Sequence, residues 1–210
     1  MASVKAQRIC IWIIVIALAA GTMLSFFAII LGNKNTATEQ ATINQLTQKY
    51  QADVAAQTKQ LSDQYYPILS QHTSEVSSFD AASITEVKSN NLKSGDGTAI
   101  TENSMYTAYY IGWNPSGKIF DSSIANGALK APFSVKPGGV ISGWTKGTSG
   151  MQVNGIREIE MPSADAYGTT GSGADIPANT PLKFIVMVIP TPKTVVIPQA
   201  LLDYYKKQGY

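Results

Sequence analysis

Few residues in this chain could do covalent or metal chemistry. It has one histidine, His72, and one cysteine, Cys10. A zinc site built on several histidines is excluded, and a Ser-His-Asp triad would have to run through His72 alone. That residue lies in a polar stretch and reads as a solvated histidine. The run Gly-Thr-Thr-Gly-Ser-Gly at residues 168–173 has no lysine after it, so it fails as a phosphate-binding loop. What remains is aromatic. Tyr110, Phe120, Phe133, Trp144, Tyr167 and Phe184 fall in one part of the chain, with Asp121 directly after Phe120. Taken singly, such aromatics read as core packing, Asp121 before Ser122 and Ser123 as a turn former, and Arg157 as the structural partner of a carboxylate.

The elements that must hold these residues are short. From Ile84 onward the chain breaks into β-like pieces separated by Gly, Asn, Asp and Pro. Residues 105–113 are rich in aromatic and β-branched types, residues 157–161 alternate, and residues 182–189 form a strong strand. Turn chemistry marks residues 90–98 and 114–117. Residues 141–150 have room for one short helix. The pattern predicts an α+β domain, a strongly twisted antiparallel sheet packed on that helix. Net charge is +2 with both signs scattered, which argues against a nucleic-acid partner.

Order and spacing add more. Tyr-Tyr-Ile-Gly-Trp at residues 109–113 is followed by Gly-Lys-Ile-Phe-Asp-Ser-Ser at 117–123 and Val-Ile-Ser-Gly-Trp at 140–144. Then come Gly-Ile-Arg-Glu-Ile-Glu-Met-Pro at 155–162, Ala-Tyr-Gly at 166–168, Asp-Ile-Pro at 175–177 and Leu-Lys-Phe at 182–184. This series, over about half the chain, resembles the FKBP-type peptidyl-prolyl cis-trans isomerases. The resemblance implies a twisted antiparallel half-barrel sheet of five or so strands around a short helix. It also implies an aromatic pocket. Trp144 would form the floor under a proline ring, Tyr110, Phe120, Phe133 and Phe184 the walls, and Val140 and Ile141 the lip. The Tyr167 hydroxyl would face the substrate backbone, Asp121 would stand at the edge, and Ile176 would come from an overhanging loop. Gly139, the short segment between Phe133 and Val140, and Asp175 depart from the family pattern, all at the rim.

The implied reaction needs no nucleophile, metal or cofactor. Rotation about a peptide bond meets a barrier of ~18–20 kcal/mol because twisting breaks amide resonance. At X–Pro bonds both isomers occur and exchange slowly. A dry aromatic site that binds the twisted, less polar amide better than either planar form accelerates the exchange. Asp121, Tyr167, Phe120 and Phe184 are the residues expected to act most directly, with Asp121 electrostatic or orienting rather than a general base. The expected partners are proline-containing unfolded or nascent polypeptides, and the resemblance brings macrolides into view as ligands. The rival reading is a non-catalytic chaperone or scaffold that uses the same pocket and the helical stalk.

Residues 9–32 contain no charge and no proline. They are long enough for a transmembrane helix of ~20 apolar residues and too long for the usual ~7–15 of a cleavable signal. Lys5 and Arg8 before the run, against Lys34 alone close behind it, predict residues 1–8 in the cytoplasm and everything after Gly32 outside the cell membrane. In residues 35–71, Ile43, Leu46, Tyr50, Val54, Leu61, Tyr65 and Ile68 make one helical stripe, a stalk suited to packing or self-association. Residues 72–82 read as a serine-rich linker, residues 83–190 as the isomerase domain, and residues 191–210 as a tail with room for a short helix over 199–207.

Overall fold

The computed structural model describes residues 37–209. The expected membrane anchor, residues 9–32, lies outside them. Among the described residues no helix is long and apolar enough to cross a membrane.

These residues divide into two compact units. The first takes residues 37–60 and 193–209. Helix α1, Ala37–Leu69, begins here. Ile43, foremost in the apolar stripe, is 5% exposed, and Leu46, Tyr50 and Val54 are half-buried. The terminal helix Gln199–Lys207 belongs to the same unit and buries Leu201. Gln57 donates to the Lys193 carbonyl at 2.6 Å, and the Tyr204 hydroxyl to Gln40 at 3.1 Å.

The second unit is Leu61–Pro192. Its strands are β1 Lys88–Lys93, β2 Tyr106–Trp113, β3 Ile119–Ser122, β4 Ile124–Ala125, β5 Ala128–Leu129, β6 Phe133–Val135, β7 Ile156–Met161 and β8 Leu182–Ile189. A short helix, α2, covers Ser142–Thr148 between β6 and β7. Six strands form one antiparallel sheet in the order β1-β7-β8-β2-β3, with β6 also on β2. The chain places β2 and β8 at the centre because both are apolar on alternate positions of both faces, and a central strand buries both. Even positions of β2 and β8, including Ala108, Phe184, Val186 and Val188, pack with Trp144 under α2. Odd positions, including Tyr109, Ile111, Trp113, Ile185 and Met187, form a second core on the opposite face.

That second core is closed by residues at the start of the unit. Leu69, at the end of α1, is fully buried in it, and Tyr65, Tyr66, Val76 and Phe79 pack against it. The Ser62 hydroxyl accepts from the Leu129 amide at 2.8 Å. The Trp113 indole donates to the Ser77 carbonyl at 3.1 Å, and the Phe79 amide to the Pro115 carbonyl at 3.0 Å. Lys183 stands 5.2 Å over the Phe79 ring and pairs with Glu158 and Glu160. The serine-rich stretch after α1 is therefore a strap over the back of the sheet.

Candidate functional site

The site is built where α2 crosses the front of the sheet. The sequence of α2, Ser-Gly-Trp-Thr-Lys-Gly-Thr, is a poor helix former by propensity. Its glycines explain the choice. A Cβ on Gly143 would lie 2.6 Å from the Met161 sulfur, and one on Gly147 would lie 2.3 Å from Ile159 Cγ2. Spaced four apart, they share a helix face and let the backbone settle on β7. Both ends are fixed by charge. Asp165 takes the Ser142 hydroxyl at 2.7 Å and the Lys146 ammonium at 2.6 Å. Those two contacts, Lys146 first, hold the Asp165 carboxyl below its ordinary range. At the other end Arg157 Nη1 donates to the carbonyls of Gly147 at 2.8 Å and Ser149 at 3.0 Å, and Nε to Asn91 at 2.7 Å. The carboxylate expected beside Arg157 is absent among the described residues. Its charge instead meets the negative, carbonyl end of α2.

This seating points Trp144 into a cluster of rings. Phe184 is 5.2 Å from it, Tyr110 5.4 Å and Phe133 6.1 Å between centroids, all at 75–85°. Phe120 meets Phe184 at 5.5 Å and 82°. Edge-to-face contact sets the positive rim of one ring against the negative face of the next. Trp144 and Phe184 are 3% exposed, while Tyr110, Phe120 and Phe133 are half-buried.

Two local features bring Phe120 and Asp121 to the same side. The register of β2 with β3 shifts between Gly112 and Trp113, pairing Gly112 with Asp121 and Trp113 with Ile119. Phe120 is the extra residue of a bulge, which breaks the alternation that would send neighbouring side chains to opposite faces. Gly112 then leaves room: a Cβ there would lie 2.6 Å from Phe184 and 2.8 Å from Phe120. Asp121 reaches the Tyr110 hydroxyl in a short hydrogen bond and the Lys130 ammonium at 3.5 Å. Burial first, then Asp121, push the Tyr110 phenol well above its usual range, so it stays a protonated donor.

The remaining candidates frame this cluster. Val140, Ile141 and Tyr167 are half-buried against it, and Ile176 is 4% exposed inside the front core itself. Asp175 is tied down by Lys118 and by the Asn114 amide, which donates to its carbonyl at 2.8 Å. The Ile141 carbonyl accepts the first amide bond of α2, from Trp144 at 3.1 Å. The structure thus brings Tyr110, Phe120, Asp121, Phe133, Val140, Ile141, Trp144, Tyr167, Ile176 and Phe184 into one neighbourhood. His72 is elsewhere and bonds Glu75 at 2.7 Å. Reading the sequence missed Tyr106, whose hydroxyl is bonded beneath Trp144. As an aromatic at the start of a strand, it carried no signal apart from the others.

A family profile described as FKBP-type peptidyl-prolyl cis-trans isomerase matches residues 97–189. An FK506-binding protein of Neisseria meningitidis serogroup A is 34% identical over 100 residues, which are 47% of this chain and 89% of that protein. FK506-binding protein 4 of Rhizopus delemar is 35% identical over 100 residues, 47% of this chain and 25% of the relative. A probable FKBP-type isomerase of Haemophilus influenzae is 35% identical over 95 residues, 45% of this chain and 38% of the relative. The chain therefore spans well under half the length of the last two.

Proposed function

Because this chain belongs to the FKBP-type peptidyl-prolyl cis-trans isomerase family, we propose that it isomerises X–Pro bonds in polypeptides folding outside the cell membrane. The carrying observation is the ring cluster around Trp144 with the Tyr110–Asp121 pair at its edge. A proline ring enters between the half-buried walls and rests on the indole. The X–Pro amide then lies at the lip, where water is thin.

The chemistry is differential binding. Twisting removes conjugation and leaves the carbonyl less polar, so an apolar wall favours the twisted amide over either planar isomer. Each ~1.4 kcal/mol of that difference raises the rate tenfold. Asp121 holds the Tyr110 hydroxyl and adds a fixed negative charge near the carbonyl carbon. The amide of Ile141, the residue that precedes α2, donates no hydrogen bond among the described residues and would hold a flanking carbonyl. Tyr167 would serve the same end from the opposite side. Macrolides would compete for the same floor, and the anchor at residues 9–32 would keep the site beside emerging chains.

The test is a protease-coupled assay on an Ala-Leu-Pro-Phe peptide with the full chain in detergent micelles, beside Asp121→Ala and Phe184→Ala. A rate above background that falls in both variants supports the reading. A folded protein with no excess rate, yet able to hold an unfolded client in solution, moves the function to a chaperone.

A further inference from the structure

The indole N–H is the one polar atom of the Trp144 side chain. It is bonded from below. Trp144 Nε1 donates to the Tyr106 hydroxyl at 2.8 Å. The Tyr106 hydroxyl lies 2.9 Å from Thr148 Oγ1, and Thr148 Oγ1 donates to the Trp144 carbonyl at 2.9 Å. All three groups are satisfied when the Thr148 proton goes to that carbonyl and Tyr106 donates to Thr148. The three groups close a ring in which each hydroxyl gives one hydrogen bond and takes one. Tyr106 is 8% exposed, Thr148 1% and Trp144 3%, so no water is needed to satisfy them.

This ring does two things at once. It joins β2 to α2, and it sets the angle of the indole plane against Tyr110, Phe133 and Phe184. We propose that Tyr106, acting through Thr148 and Trp144, is a positioning and specificity-determining residue of the isomerase site. It consumes the indole N–H, so the floor offers substrate an apolar face and nothing to bond. Proline, the residue whose ring carries no free donor, is the natural occupant of such a floor. The proposal rests on the isomerase reading above.

Tyr106→Phe removes one oxygen and keeps the ring. It leaves the Trp144 N–H without its acceptor and the Thr148 oxygen without its donor, and a buried donor so left seeks another. The experiment is carried out on the full chain with 15N-labelled tryptophan. In Tyr106→Phe the Trp144 Nε1–H resonance moves and exchanges faster with solvent. KM for the prolyl peptide rises by about tenfold with kcat within about twofold, because ring binding is lost equally in ground and transition states. Thr148→Val, which cuts the ring one bond further on, moves both readouts in the same direction and serves if Tyr106→Phe does not fold. Ile111→Val, in the opposite core, is the control for a general loss of stability and leaves KM and the resonance unchanged. An unmoved Trp144 resonance in Tyr106→Phe overturns the proposal. So does a moved resonance with wild-type KM. If the wild type itself turns over no peptide, the isomerase reading fails, and the resonance still decides whether Tyr106 holds Trp144.

Discussion

Gly147→Ala tests how α2 positions the site. In an exposed helix interior the change would stabilise by ~1 kcal/mol, since glycine is the worse helix former. Here the new Cβ would sit 2.3 Å from Ile159 Cγ2, 2.9 Å from Cδ1 and 3.0 Å from Cγ1. Carbon atoms rest at ~3.5–4.0 Å, so a clearance of roughly 1 Å must come from somewhere. Ile159 is fully buried and cannot turn away. The helix must lift instead, which strains the bond from Arg157 to the Gly147 carbonyl. Overpacking of this kind costs about 1–3 kcal/mol, and a strained charged hydrogen bond adds about 1 kcal/mol. Set against the propensity gain, the net loss is about 2 kcal/mol. Trp144 rides on the same helix, and a displacement near 1 Å costs about a hundredfold in rate. Urea unfolding and peptide turnover measure the two effects. In an Ile159→Ala background the obstructing atoms are gone, and the same Gly147→Ala change becomes neutral or stabilising. Wild-type stability and turnover for Gly147→Ala alone would refute the close-packing argument.

Three further outcomes follow from individual contacts. The Tyr109 hydroxyl is buried with no hydrogen-bond partner among the described residues, and burial pushes its phenol up to about 12. Tyr109→Phe is expected to raise the unfolding free energy measured in urea by up to about 1 kcal/mol. Its raised value also means that stability, full below the unfolded tyrosine value of about 10, falls as pH climbs from there towards 12, and Tyr109→Phe should flatten that alkaline limb in urea titrations. Leu69→Ala, at the end of α1, is expected to cost about 2–5 kcal/mol by chemical denaturation, as a core residue does. Asp165 has a lowered folded pKa, so its contribution is complete above its unfolded value and disappears as pH falls through the folded one. Asp165→Asn should weaken the protein at neutral pH and flatten the acid limb of the same titration.

Much of the front of the domain was legible from residues 105–189. The apolar run of β8, broken only by Lys183, read as a strong strand, and the spacing of the aromatic motifs carried the family. The rest depended on geometry that one-dimensional patterns do not encode. The bulge that puts Phe120 beside Asp121 arises from a register slip against β2, and no residue type announces it. Arg157 looked like half of an ion pair because a charge in a strand usually is one; the carbonyl end of α2 took that place. The strap through Ser77 and Phe79 looked like a linker because serines dominate it, yet the pieces that matter are a backbone carbonyl and one ring. Tyr106 was hidden because its partner, Trp144, lies far along the chain and on another element.

The most direct test of the account is exchange NMR on a prolyl peptide with the full chain. The account predicts faster cis–trans exchange together with nuclear Overhauser contacts from the proline ring to the Trp144 indole, both lost in Phe184→Ala. Exchange that is accelerated while the proline ring contacts some other part of the protein, or no acceleration by a folded protein, would contradict it.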